Sequence, residues 1–172
     1  MIPGLAALLG ELGLNEGALA ARGLCLFAEA EVLVEVDVDA DGRVHRLVPE
    51  AAQAWREMKT AAAADGVYLR LVSAFRSIER QSEVVRRKLA QGESVDDVLR
   101  VCAPPRYSEH HTGRAVDVTV QGGALLDVAF AGSAAFVWLQ EHAATFGFSL
   151  SFPEENAFGY VFEPWHWCYQ GD

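Results

Sequence analysis

Cysteine is scarce in this chain and poorly spaced for structural work. Cys25, Cys102 and Cys168 lie far apart with no CxxC pair. An odd, scattered set argues against a disulfide framework and against a thiolate zinc site, and buried thiols are the simpler reading. Positive charge is also short: 14 Lys+Arg against 24 Asp+Glu leave a net charge of -10. Sequence-blind binding to nucleic acid needs clustered basic residues, so no nucleic-acid partner is expected. No apolar run reaches the roughly 18–20 residues that a membrane span requires. The start, MIPGLAALLGELG, has no basic residue before its apolar run, and Glu11 interrupts that run. The signal-peptide pattern is missing, so the chain as it stands reads as cytoplasmic. Repeats, low-complexity tracts and linkers are absent too.

What remains is an ordinary globular composition, 51% hydrophobic and 22% charged over 172 residues. It suits one domain with one sizeable core. Leucines interrupted by glycines over residues 1–24 predict one or two short helices. EVLVEVDVD at 31–39 alternates at period two, so a strand is expected with Val32, Val34, Val36 and Val38 on its buried face. Asp39-Ala40-Asp41-Gly42 turns it back into a second strand at 43–47, which would leave His45 on the surface. Pro49 opens a helix to about residue 64, with Trp55, Met58 and Ala62 inward and Asp65-Gly66 as its stop. VYLRLV at 67–72 is a strand, Ser77 and Ser94 cap two further helices, and RAVDVTV at 114–120 is a strand. A helix over 133–146 leaves His142 outward. Strands at 148–152 and 158–162 complete the set. The fold class expected is α+β, with a mostly antiparallel central sheet flanked by helices. Residues 1–48 form an extension packed on a core of residues 49–172.

The chemistry gathers in two stretches. YSEHHTGRAVDVTV at 107–120 sets His110 and Asp117 seven residues apart around Gly113, and Glu163-Pro164-Trp165-His166 adds another carboxylate and imidazole. Catalytic zinc takes three protein ligands and leaves a position for water, and His110, Asp117 and His166 make such a set. Metal-activated water needs a base, for which Glu163 is the candidate. Residues three apart on a regular strand face opposite ways, so the chain must break between Glu163 and His166, and Pro164 stands there. Arg76 could meet an oxyanion, and Ser108, Gln81 and Arg76 are the nearest groups for clamping a substrate carboxylate. Singly, each has a bland alternative: a core or surface histidine, a surface salt bridge for Arg76, an edge charge for Asp117. His111 stands beside His110 as a rival ligand. The conjunction at this spacing favours a site, with His110 as ligand.

Three blocks carry a resemblance. SAFRSIERQ at 73–81, SEHHTGRAVDV at 108–118 and GYVFEPWHWCY at 159–169 resemble the S-G-Y-R-S-x-x-x-Q, metal-ligand and E-P-W-H-W-R-Y blocks of zinc D-alanyl-D-alanine carboxypeptidases of the vancomycin-resistance type. That superfamily also includes lysostaphin-like peptidases and the zinc-bearing Hedgehog domain. The resemblance implies a Hedgehog/D-Ala-D-Ala peptidase-like fold and Zn2+ on His110, Asp117 and His166. It implies Glu163 as general base, Arg76 at the oxyanion, Gln81 and Ser108 on the terminal carboxylate, and Trp165 as a wall. The implied substrates are peptidoglycan stem peptides, losing a C-terminal D-alanine at the cell envelope. A zinc dipeptidase, a lysin-like endopeptidase or a non-catalytic zinc module are the alternatives, the last disfavoured by Glu163 and Arg76. Cys168 stands where this family usually has arginine.

Overall fold

A computed structural model describes residues 4–39 and 41–171. Two short helices, α1 (Leu5–Glu11) and α2 (Glu16–Ala21), open the described chain, followed by a hairpin of β1 (Val34–Val38) and β2 (Val44–Leu47). Ala40, at the expected turn, lies outside the described residues. Helix α3 (Pro49–Ala64) starts on Pro49, whose missing N–H costs nothing in a first turn, and stops at Gly66 with φ 79°. Trp55, Met58 and Ala62 are buried as their helical spacing requires.

Four antiparallel strands make the main sheet: β3 (Leu69–Ser73), β4 (Ala115–Val120), β5 (Phe148–Leu150) and β6 (His166–Tyr169), in the order β3-β4-β6-β5. Between β3 and β4 run α4 (Ile78–Ala90) and α5 (Val95–Val101), capped by the hydroxyls of Ser77 and Ser94. Helix α6 (Ala134–His142) and a 3-10 turn, Ala143–Phe146, lie between β4 and β5. A register shift in β3 brings Ser73 opposite Asp117, and Asp117 is in turn opposite His166. One row across three strands therefore carries Ser73, Asp117 and His166.

Two apolar clusters hold the fold. Trp55, Met58, Leu69, Val116, Val118, Leu139, Phe148 and Trp167 pack between α3, the sheet and α6. Leucines of α1 and α2 pack with Ile78, Val85 and Val98 in a second cluster over α4 and α5. Burial of such side chains contributes about 1.5–3 kcal/mol each.

Several expectations need correction. Val32 and Val38 are 65% and 56% exposed: Val32 precedes β1, Val38 ends it, and of the expected face Val34 and Val36 pack on the core. His45 is not on the surface: it is 4% exposed, on the inward face of β2. Residues 158–162 do not form a strand. Asn156 takes the hydrogen bonds a ladder would have used, accepting from Phe158 and Tyr160 N–H and donating to the Tyr160 carbonyl. The last strand instead begins at His166, past the Pro164–Trp165 turn.

Candidate active site

The metal-ligand stretch is shaped by a 3-10 turn, Glu109–Thr112. Ser108 caps it by accepting the His110 N–H, and Gly113 closes it at φ 66°. A Cβ at Gly113 would stand 2.9 Å from Leu33 and 3.1 Å from Val48, so this position needs glycine for both conformation and space. The turn delivers His110 beneath the sheet row, where Asp117 and His166 already face one another.

His110, Asp117 and His166 are all buried, with potential ligand atoms within 4.8 Å of one another. The Asp117 carboxylate lies 3.1 Å from His110 Nε2 and 3.0 Å from His166 Nδ1. His110 Nδ1 sits 2.7 Å from the Ala74 carbonyl, which can only accept, so Nδ1 carries a proton and Nε2 is the nitrogen turned towards Asp117. His111 is excluded as a ligand: Nδ1 donates to the Arg76 carbonyl and Nε2 accepts the Arg106 N–H. Two imidazoles and a carboxylate, buried and convergent, with one ring already oriented through its outer nitrogen, fit zinc.

Charge follows from these contacts. Burial opposes the charge on Asp117, but His110 and His166 outweigh it and hold the carboxyl far below its usual range. Burial pushes His110 down, against the pull of the Asp117 carboxylate. Burial also acts to lower His166, yet its hydrogen bonds to Asp117 and Glu109 hold it up at about 10 without a metal. Burial raises Glu163 to about 7, against the pull of His166. Its Oε2 is 4.0 Å from His166 Nδ1, beside the donor set and outside it. The turn at Pro164 makes this possible: the His166 N–H bonds the Glu163 carbonyl, so Glu163 precedes the strand that His166 begins.

Arg76 is anchored from three sides. Nη1 donates to Gln81 Oε1 at 2.8 Å, Nη2 donates to Ser73 Oγ at 2.9 Å, and Nη2 stands 3.7 Å from Asp117. Gln81 is 1% exposed, and its other end donates to the Ala103 carbonyl at 2.6 Å. Both ends of this amide are therefore engaged, its oxygen by Arg76 and its nitrogen by Ala103 and Cys102. These groups open on a cleft of about 280 Å³, lined also by Ser108, Glu163, Trp165 and Tyr160. Every site residue expected from the sequence lines this one cleft or its metal group.

Two contributors have no role in the sequence reading. Ser73 stands there only as the first residue of the SAFRSIERQ block, just past the strand at 67–72. Glu109 lies 2.8 Å from His166 Nε2 and accepts the Ser151 hydroxyl at 2.6 Å. Burial works to raise Glu109, but the His166 and Ser151 hydrogen bonds leave it lowered. Its position between Ser108 and His110 was the only sequence signal, and spacing does not say which way a side chain on a 3-10 turn points. The Cys168 thiol lies near Glu109, and burial and that carboxylate raise its pKa.

Comparison with known proteins agrees with this geometry. The family model described as VanY D-alanyl-D-alanine carboxypeptidase matches residues 44–172. The chain belongs to the VanY family. A D-alanyl-D-alanine carboxypeptidase of Enterococcus faecalis (strain ATCC 700802 / V583) is 31% identical over 126 residues, covering 67% of this chain and 45% of its own. YodJ of Bacillus subtilis (strain 168) is 32% identical over 146 residues, covering 81% of this chain and 53% of its own. The chain thus spans about half the length of these curated relatives. Among solved structures, the LdcB LD-carboxypeptidase aligns with a TM-score of 0.74 at 31% identity, over 83% of this chain and 70% of LdcB. VanYB in complex with D-alanine-D-alanine gives 0.66 at 29%, over 83% and 80%. A Zn(II) complex of a VanY D,D-pentapeptidase variant gives 0.63 at 27%, over 87% and 89%. The α+β fold is that of the Hedgehog/D-Ala-D-Ala peptidase-like VanY enzymes. No helix among the described residues is long and apolar enough to cross a membrane.

Proposed function

We propose that this chain is a zinc-dependent carboxypeptidase that hydrolyses the C-terminal D-alanine peptide bond of peptidoglycan stem peptides. One observation carries the reading: a buried His-Asp-His donor set shares its cleft with an adjacent carboxyl raised to about 7 and with an anchored guanidinium. His110, Asp117 and His166 would hold zinc, which supplies Lewis acidity and a bound water of lowered pKa. Glu163 receives the proton of the attacking water and returns it to the leaving amine, a task suited to a pKa near the working pH. Arg76 presents a fixed cation to the oxyanion that develops on the scissile carbonyl. Gln81 keeps Arg76 in that orientation. Ser108 accepts the His110 N–H with its oxygen and keeps its hydroxyl proton for the substrate's terminal carboxylate. Trp165 walls the cleft.

The family description names D-alanyl-D-alanine, and LdcB is named an LD-carboxypeptidase. Both activities release a C-terminal D-amino acid, so the two relatives differ in the residue before the cut. Incubation of the zinc-loaded chain with tetra- and pentapeptide stems, products read by mass, tests the proposal. Release of D-alanine from either supports it, and the preferred stem identifies the bond. No release from both, with zinc bound, refutes it.

A further inference from the structure

His166 stands between two carboxylates. Asp117 Oδ1 is 3.0 Å from Nδ1 and Glu109 Oε2 is 2.8 Å from Nε2. The two nitrogens point to opposite edges of the ring, so Glu109 holds the edge away from the metal group, and the convergent ligand set contains His110, Asp117 and His166 without it. Glu109 is itself held. The Ser151 hydroxyl donates to the same Oε2 at 2.6 Å, and Ser151 follows β5, which pairs with β6. The backbone of Glu109 is tied as well, its carbonyl accepting the Thr112 hydroxyl at 2.6 Å. Resting on the zinc reading above, we propose that Glu109 is a positioning residue for the metal: it accepts Nε2–H of His166, fixes that ring as an Nδ1 ligand, and is fixed in turn by Ser151.

The consequence is an asymmetry between the two histidines. His110 offers Nε2 because Nδ1–H is held by the Ala74 carbonyl, a neutral acceptor. His166 offers Nδ1 because Nε2–H is held by a carboxylate, which makes the ring more basic and the stronger donor. Glu109 lines the cleft, and in this role it acts through the His166 ring.

The test measures zinc affinity of the full chain by chelator competition, together with the ring protonation of His166 by nitrogen-15 NMR. Glu109→Ala is expected to weaken zinc binding about 10- to 100-fold. Glu109→Gln keeps an acceptor oxygen for Nε2–H and is expected to lose less than Glu109→Ala. Zinc-loaded wild type should show Nε2 protonated and Nδ1 bound to metal. That NMR arm decides even if Glu109→Ala does not fold. Affinity within about twofold of wild type in both variants, or Nε2 as the ligating atom, overturns the proposal. A raised KM with unchanged zinc affinity would make Glu109 a substrate contact instead, and also overturns it. Failure of the wild-type chain to bind zinc at all would count against the proposed function, so the two readings fail separately.

Discussion

Gly113→Ala tests whether the turn between the ligands is set by backbone or by side chains. Gly113 sits at φ 66°, where an L-residue with a Cβ loses about 1–2 kcal/mol. The new methyl would stand 2.9 Å from Leu33 Cδ2, 3.1 Å from Val48 Cγ1 and 3.2 Å from Val48 N. Leu33 can swing aside, because the atom it offers is the end of a flexible side chain. Val48 cannot move as easily: its N–H donates to the Gly113 carbonyl at 2.9 Å, and it precedes the first turn of α3. Overpacking against such a neighbour costs about 1–3 kcal/mol. The two terms together give about 2–5 kcal/mol, which in a domain of this size lowers Tm by roughly 4–20 °C. Because the turn carries His110, zinc affinity should fall with stability. Thermal melts followed by circular dichroism, with and without zinc, measure the first, and chelator competition the second. A Tm within about 2 °C of wild type would refute the account of this turn.

Three further outcomes follow from the site. Gln81→Leu should leave zinc affinity unchanged and lower kcat about 10-fold or more, because it frees Nη1 of Arg76 rather than removing a ligand; a change in KM alone would return Gln81 to the substrate. Glu163, raised from 4.5 to about 7, favours its protonated form in the fold, so its contribution to stability is full below 4.5 and is lost as pH rises through about 7. Denaturant unfolding of the metal-free chain at about pH 5 and about pH 8 should then show Glu163→Gln gaining on wild type at the higher pH, and equal slopes for the two would contradict the raised value. His166 is held at about 10 without metal, so zinc binding at neutral pH should displace close to one proton. Calorimetry in buffers of different ionisation enthalpy reads that proton directly, and no release would mean that the ring is already neutral.

Local signals in the sequence predicted local structure well. Ser77 and Ser94 cap helices, Gly66 ends one, and Trp55, Met58 and Ala62 face inward, because each follows from neighbours a few residues away. The convergence of His110, Asp117 and His166 was legible because the three stand in motifs with fixed spacing. Side-chain partners across long separations were not. Glu109 meets His166 and Ser151 only after the sheet has brought three segments together. Residues 158–162 have strand-like composition, but Val161 N–H bonds Arg100, and Arg22 donates to the Phe158 carbonyl from 136 residues away. Those partners hold the segment as a loop against its propensity. His45 was misplaced because its strand alternates at period two without saying which face is covered.

Asp117 and His166 sit directly opposite one another on adjacent strands. Side chains alternate along a strand, so a slip of one residue in β6 would bring Trp167 to the place of His166 and turn the imidazole to the other face. A metal held by this pair would therefore depend on the strand pairing, because only the correctly aligned sheet brings Asp117 and His166 together. Assembly errors in the inner strand would register as metal that fails to bind, well before any substrate arrives.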